Sequence, residues 1–319
     1  MKINVYDLVS KYTLYLVLLA LIVFFSINSP FFLTTANVIN IIRQIAIIGI
    51  CAAGMTFVIL TGGIDLSTGS ILGVSAAVAA RLMVTYEVHP VMATAVALTV
   101  GIVFGLVNGF FINKVGLPPL ITTLGTMTAL RGAAMLITEG RGIHGITRAY
   151  SVIGQGYVGP IPIPAIIMAL TFLFGYILLE RTKFGRYVYG IGDNEEATRL
   201  SGVNVKKVTY SVYAISGFLS ALAGVVFLSR LMSAQPTAGE GYELQIITAV
   251  VLGGVSIKGG EGKISLVIVG VIIMGVLANG MIMMNINPFW QWVVRGSVLL
   301  LAVSYDRLML SRRNRIAAS

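Results

Sequence analysis

Apolar residues run through this chain in long blocks separated by short polar breaks. Neither the alternation of a half-buried strand nor the one-sided stripe of a surface helix prevails. A hydrocarbon core about 30 Å thick is crossed by about 20 helical residues rising about 1.5 Å each, so blocks of about 18 or more read as spans. The pattern predicts spans near residues 12–28, 40–60, 68–84, 91–112, 118–138, 163–180, 209–231, 242–256, 264–284 and 288–305. In the eighth, the run from Tyr242 to Gly254 is too short to cross alone, and Gly-rich backbone buried among other helices must complete it. The expectation is an all-α integral membrane protein of about ten transmembrane helices, or nine, forming a single transmembrane domain over residues 1–319.

Composition agrees. With 57% hydrophobic and 11% charged residues and a mean hydropathy of +0.92, there is too little polar surface to coat a soluble globule. The first span follows Lys2 and Lys11 as a signal peptide would, yet Phe24 to Pro30 offers no small-x-small cleavage site, which predicts an uncleaved anchor. Cys51 is the only cysteine, so no intrachain disulfide is possible. His89 and His144 fall in separate loops and give no metal site.

The net charge of +10 sorts by topology. With ten spans and a cytoplasmic N-terminus, one side holds Lys2, Lys11, Lys114, Arg181, Lys183, Arg186, Arg199, Lys206, Lys207, Lys258, Lys263, Arg307, Arg312, Arg313 and Arg315. The other side keeps Arg81, Arg141, Arg148 and Arg230, while Arg43, Arg131 and Arg295 fall within or at the edge of spans. That asymmetry predicts both termini inside. The basic residues do not gather with aromatics on a stripe, which argues against a nucleic-acid partner.

Polar interruptions carry the candidate chemistry. The longest predicted cytoplasmic loop, 181–208, contains Asp193, Asn194, Glu195, Glu196, Ala197, Thr198, Arg199, Leu200, Ser201 and Gly202. Asp193 with Glu196 three residues on reads as a capping box opening a short helix, and Arg199 and Gly202 suit its C-terminal end. Such a helix is either a docking element or a solvated connector. Between the second and third spans lie Gly62, Gly63, Asp65, Ser67 and Thr68. There Asp65 either caps the third helix through the Ser67 and Thr68 backbone donors or contacts a solute at depth. The glycines before Lys263 lack Walker A spacing, since Ile257 and Ile264 occupy the outer positions, so no nucleotide site is expected. Gly101, Gly105 and Gly109 recur every fourth residue, as do Ser216, Ser220 and Gly224, and both read as packing stripes.

A weak inverted internal repeat is also present. Asn108-Gly109 and Arg131-Gly132 in spans four and five mirror Asn279-Gly280 and Arg295-Gly296 in spans nine and ten. Transporters built this way place their path at the repeat interface, which makes Asp65, Ser67, Asn108 and Asn279 candidates to line it. Arg131 and Arg295 either join them or pair with neighbouring carbonyls.

GGIDLSTGS at Gly62 to Ser70, YGIGDNEEATRLSGVNVKK at Tyr189 to Lys207, GGVSIKGGEGKI at Gly253 to Ile264 and PPLITTLGTMTALRG at Pro118 to Gly132 together resemble the permeases of ribose-type ABC sugar importers, over nearly the whole chain. Thr68, Asp193, Thr198, Lys258 and Glu261 depart from that pattern. The resemblance implies a permease of the bacterial inner membrane, working as a homodimer or with a paralogous permease. It also implies a pair of cytoplasmic ATPase subunits, carrying ATP and Mg²⁺ and docked on the Glu195 to Gly202 helix, and an external sugar-binding protein. No cofactor is expected on this chain itself. The rival is an ion-coupled secondary transporter, for which Asp65 is the candidate relay. A membrane enzyme would need a catalytic cluster, and neither a His/Asp grouping nor a metal-ligand array is present in the sequence.

Overall fold

A computed structural model describes the backbone of residues 5–318 and the side chains of residues 13–304. The predicted cytoplasmic charges Lys2, Lys11, Arg307, Arg312, Arg313 and Arg315, and the outer ends of the first and tenth predicted spans, lie outside the residues described with side chains. The helices are α1 (Val5–Asn28), α2 (Thr35–Leu60), α3 (Thr68–Thr85), α4 (Pro90–Phe110), α5 (Pro119–Thr138), α6 (Ser151–Gln155), α7 (Ile163–Arg181), α8 (Lys183–Leu200), α9 (Val205–Leu231), α10 (Tyr242–Leu252), α11 (Ile264–Met283) and α12 (Pro288–Ala318). A π-helical turn, Phe111–Val115, extends α4. A two-stranded hairpin, β1 (Tyr157–Val158) with β2 (Ile161–Pro162), precedes α7. Prolines open α4, α5, α7 and α12, where a missing N–H leaves no helical bond unmade.

Among the described residues seven helices are long and apolar enough to cross a membrane: α2, α3, α4 with its π turn, α5, α7, α9 and α11. They fall on seven of the predicted spans and make the chain a multi-pass membrane protein. By that criterion of length and composition the described residues give seven candidate spans, which leaves the count of about ten unconfirmed. The eighth predicted span appears as the shorter apolar helix Tyr242–Leu252, the first lies on α1, whose described side chains begin at Thr13, and the tenth lies on α12.

Helix α2 is the centre of the bundle. Every residue from Ile45 to Leu60 is buried, with α7, α9, α10 and α11 packed around the helix, which explains why that stretch has no polar face. Cys51 is buried within it. The predicted stripe on α4 meets α9. A Cβ on Gly101 would stand 2.3 Å from Gly217 O, one on Gly105 2.2 Å from Tyr213 O, and one on Gly109 2.9 Å from the Tyr210 ring. Two turns further along α9 from Gly217, a Cβ on Gly224 would stand 2.4 Å from Leu72 O of α3. At Gly101, Gly105 and Gly224 the contacts join backbone to backbone, the arrangement small-residue stripes permit in lipid.

The shortness of α10 has a geometric cause. The segment before it runs back along the start of α3, where a Cβ on Gly69 or Gly73 would collide with Gly239 O or Ala238 O, each at 2.4 Å. Helix α10 therefore begins beside the first turn of α3, and its 11 residues rise only about 16 Å. Upstream, Gly154 N donates to Ser229 Oγ at 2.7 Å, and that hydroxyl donates to Tyr150 O, fastening α6 to the end of α9.

Candidate functional site

Asp65 lies in the break between α2 and α3 and is fully buried. Its Oδ1 accepts from Ser67 N at 3.0 Å and Ser67 Oγ at 2.5 Å, and its Oδ2 accepts from Ser216 Oγ of α9 at 2.8 Å. The cap runs through Ser67 alone. Thr68, also predicted as a backbone donor, instead donates its hydroxyl to Asp65 O at 3.4 Å. Asn108 Nδ2 donates to Ser67 Oγ at 2.9 Å, and Thr126 Oγ1 donates to Asn108 Oδ1 at 2.7 Å. The chain of donors ends on one carboxylate and ties α4, α5 and α9 to the helix break. Asp65, Ser67 and Asn108 all have zero exposure, so in this conformation they brace the bundle rather than line an open path. Asp65→Ala is expected to destabilise the protein by about 1–3 kcal/mol, because buried donors lose their acceptor. Asp65→Asn, which keeps one acceptor oxygen, is expected to lose less. Thermal unfolding of the two variants in detergent measures the difference, and equal losses would assign the effect to charge instead.

Asn279 stands elsewhere. Its amide exchanges two hydrogen bonds with Asn37 of α2, both at 2.9 Å, and is buried. The repeat predicted equivalent roles for Asn108 and Asn279, but the structure does not bring them together.

The two arginines do share a cavity. Arg131 of α5 and Arg295 of α12 line one cavity of about 310 Å³, together with Glu240, Glu243 and Gln245 around the start of α10 and Trp292 of α12. Arg131 Nη2 donates to Glu243 Oε1 at 2.6 Å, its Nη1 is 3.8 Å from Glu240 Oε1, and its Nε reaches Ser70 Oγ at 3.4 Å. Arg295 Nη2 donates to Gln291 Oε1 at 3.3 Å. Carbonyls were the alternative partners foreseen for these arginines, and side-chain oxygens take that place. Arg131 and Glu240 also line a second cavity of about 100 Å³ beside Ser70 and Met135. Sequence reasoning missed Glu240 and Glu243. The available signal was an acid beside glycines at the head of a span too short to cross.

A third arrangement joins the segment between α7 and α9 to the bundle. Helix α8 is broken at Asn194, whose backbone is extended (φ −155°, ψ 100°). Asn194 Oδ1 accepts from Ala197 N at 2.9 Å, so Asn194 and not Asp193 is the cap. The predicted capping box is corrected further at Glu196, whose carboxylate takes two bonds from Arg199, at 2.6 and 3.0 Å, instead of reaching back to the cap. The Arg199 guanidinium holds the Glu196 carboxyl below its ordinary range, and Glu196 in turn raises Arg199. Gly202, at φ +85°, ends the helix as expected, with its N–H on Arg199 O at 3.0 Å. Leu200 is 77% exposed at the tip.

The arm of α8 before the break, Lys183 to Asp193, was not foreseen as helix. Its Gly192 packs so closely that a Cβ would stand 1.9 Å from Leu60 O and 2.3 Å from Gly260 N. Gly260 N donates to Leu60 O at 2.9 Å. A Cβ on Gly259 would lie 2.7 Å from Gly62 N. Tyr189 OH donates to Gly262 O at 3.0 Å, and burial pushes its phenol up to about 12, which keeps the donor protonated. The Gly-rich stretch before α11 is thus a clasp, in which the three motifs around Gly62, Gly192 and Gly260 touch.

Residues 37–303 match the family described as branched-chain amino acid transport system / permease component. The ribose import permease protein RbsC of Bacillus subtilis (strain 168) is 47% identical over 295 residues, 92% of this chain and 91% of that protein. RbsC of Haemophilus influenzae is 42% identical over 303 residues, 94% of each. The L-arabinose transport system permease protein AraH of Escherichia coli (strain K12) is 40% identical over 306 residues, 93% of this chain and 90% of that protein. No solved structure matches the chain. Aligned with sugar permeases over more than nine-tenths of its length, the chain belongs to the permease subunits of ribose-type ABC sugar importers, transporter components that work with an ATPase and a binding protein and are not themselves enzymes.

Proposed function

We propose that this chain carries a monosaccharide, ribose or a related pentose or hexose, into the bacterial cytoplasm by alternating access. It is one permease domain spanning residues 1–319, paired with a second copy or a paralogous permease in the inner membrane. Helices α1, α10 and α12 complete a ten-span inverted repeat with both termini cytoplasmic, an orientation supported by the positive-inside charge pattern. Partner ATPase subunits hold ATP and Mg²⁺ and dock on the Asn194–Leu200 arm. Their closure draws two such arms together, and the bundles rock so that a central path opens to each side in turn.

The single observation that carries the reading is the clasp. The exposed capped helix continues from an arm whose Gly192 meets Leu60 and Gly260, and Gly259 of the same Gly-rich stretch meets Gly62 in the loop that holds Asp65, which gives movement of the arm a route into the bundle. A buried Asp65 carboxylate surrounded by uncharged donors is what an ion-coupled secondary transporter would offer instead. Vesicles containing the permease, its ATPase and its binding protein separate the two. Labelled ribose uptake should require hydrolysable ATP and survive an ionophore; uptake that persists without ATP but collapses with the ionophore would sink the proposal.

Charge reversal at Glu195 and Glu196 should reduce ATP-driven uptake by at least about tenfold, the effect of a 1.4 kcal/mol loss at the docking contact. Membrane insertion should be unaffected. Unchanged uptake with normal co-purification of the ATPase would remove the docking role.

A further inference from the structure

We infer that the cavity between α5, α10 and α12 is a solute site that admits an uncharged polyhydroxylated molecule and rejects sugar acids by charge balance. The inference rests on the proposal that the chain carries a sugar. At about 310 Å³ the cavity falls at the small end of ligand sites, which run from about 300 to 1,000 Å³.

Its ionisable lining is two guanidiniums, Arg131 and Arg295, and two carboxylates, Glu240 and Glu243, so the fixed charges cancel. Arg131 already faces both acids, at 2.6 Å and 3.8 Å. A carboxylate pairing with Arg131 would take it from Glu243 and leave that acid unpaired, and one pairing with Arg295, which donates to the neutral Gln291, would enter a small lining that already holds two acids, whereas a hydroxyl can donate to an acid and accept from a guanidinium without breaking the Arg131–Glu243 pair. Two polar atoms of the lining lack a hydrogen bond among the described residues, Glu243 Oε2 and Arg295 Nε, and both are buried. Glu243 as a whole is only 7% exposed. Native structures leave few such atoms, and a ligand with both donors and acceptors is one way to satisfy them. The Trp292 ring supplies the apolar face against which the C–H side of a sugar packs. Rejection here is built from repulsion and lost pairing as much as from attraction.

The chain has two tryptophans, Trp290 and Trp292, and only Trp292 lines the cavity. The full-length Trp290→Phe protein in lipid nanodiscs, with neither ATPase nor nucleotide, therefore reports on the cavity through Trp292 fluorescence. D-ribose should give a saturable change, with D-ribonate at least about tenfold weaker. Trp292→Phe, which keeps Trp290, should stay flat with both. Adding Glu243→Gln to Trp290→Phe gives the lining a net charge of +1 and should strengthen the ribonate response about tenfold. If that variant does not fold, Glu240→Gln, at a side chain that is 55% exposed, should move the response in the same direction. No saturable response to ribose, or equal responses to ribose and ribonate that neither variant shifts, overturns the inference. ATP-driven uptake is read separately: intact uptake with a silent Trp292 defeats the cavity alone, while a saturable, acid-excluding response without uptake upholds the cavity and defeats the transport reading.

Discussion

Arg131→Met is expected to destabilise the folded protein by about 3 kcal/mol, because it leaves the Glu243 carboxylate buried without its cation. The side chain of Glu243 is 9% exposed and that of Arg131 33%, so the acid is dry while the base is partly wet. That places the loss toward the lower end of the about 3–5 kcal/mol seen when one member of a buried pair is removed. The alternatives open to Glu243 are poor. Glu240 is a second acid, Ser70 Oγ accepts from Arg131 Nε, and Arg295 across the cavity donates to Gln291. The double variant Arg131→Met/Glu243→Gln removes both charges and should recover much of the loss. A double-mutant cycle on unfolding free energy in detergent reads the coupling. If Arg131→Met unfolds at the temperature of the parent protein, the pair holds nothing, and the contact of α5 with α10 has another source.

Gly192→Ala is expected to damage the clasp. The new Cβ would sit 1.9 Å from Leu60 O and 2.3 Å from Gly260 N, both backbone atoms that cannot rotate away. Either α8 lifts off or the 253–263 loop does, and the Gly260 N to Leu60 O bond is stretched in both cases. Overpacking of this kind costs about 1–3 kcal/mol, and loss of the hydrogen bond adds about 1 kcal/mol. The functional expectation is sharper than the stability one. ATP hydrolysis by the partner should continue while sugar moved per ATP falls, since the arm no longer drags the Gly62–Asp65 loop with it. Gly125→Ala on α5 is the control: nothing lies within 4 Å of its added Cβ, and its unfolding temperature should not drop. Full coupling in Gly192→Ala would mean that motion enters the bundle by another route.

Much of this architecture was legible along the chain, and the legible parts share a cause. Helices α2 to α5, α7, α9 and α11 announce themselves because an apolar block of sufficient length has one solution in lipid: every backbone group must bond within its own segment. The stripes at Gly101, Gly105 and Gly109 and the terminator at Gly202 are local as well, set by residues three or four apart or by one backbone angle. The start of the docking arm was misplaced by one residue, since Asp193 and Asn194 are both good caps. Only the packing of Gly192 against Leu60 and Gly260 decides where the helix must break.

What the tertiary structure alone decided were the partnerships. Nothing near Arg131 in sequence points to Glu243, 112 positions away, or near Asn279 to Asn37, 242 positions away. The repeat put the two asparagines and the two arginines on the same footing. The fold kept that parity for the arginines, which share a cavity, and broke it for the asparagines, because a buried amide bonds to whichever polar group the packing brings within reach. The depth of Asp65 was likewise unreadable until α4, α5 and α9 closed around it. Hydropathy and capping are properties of a segment and can be read from it. Burial and pairing are properties of the assembled bundle, and they determine which of its polar residues brace it and which face a cavity.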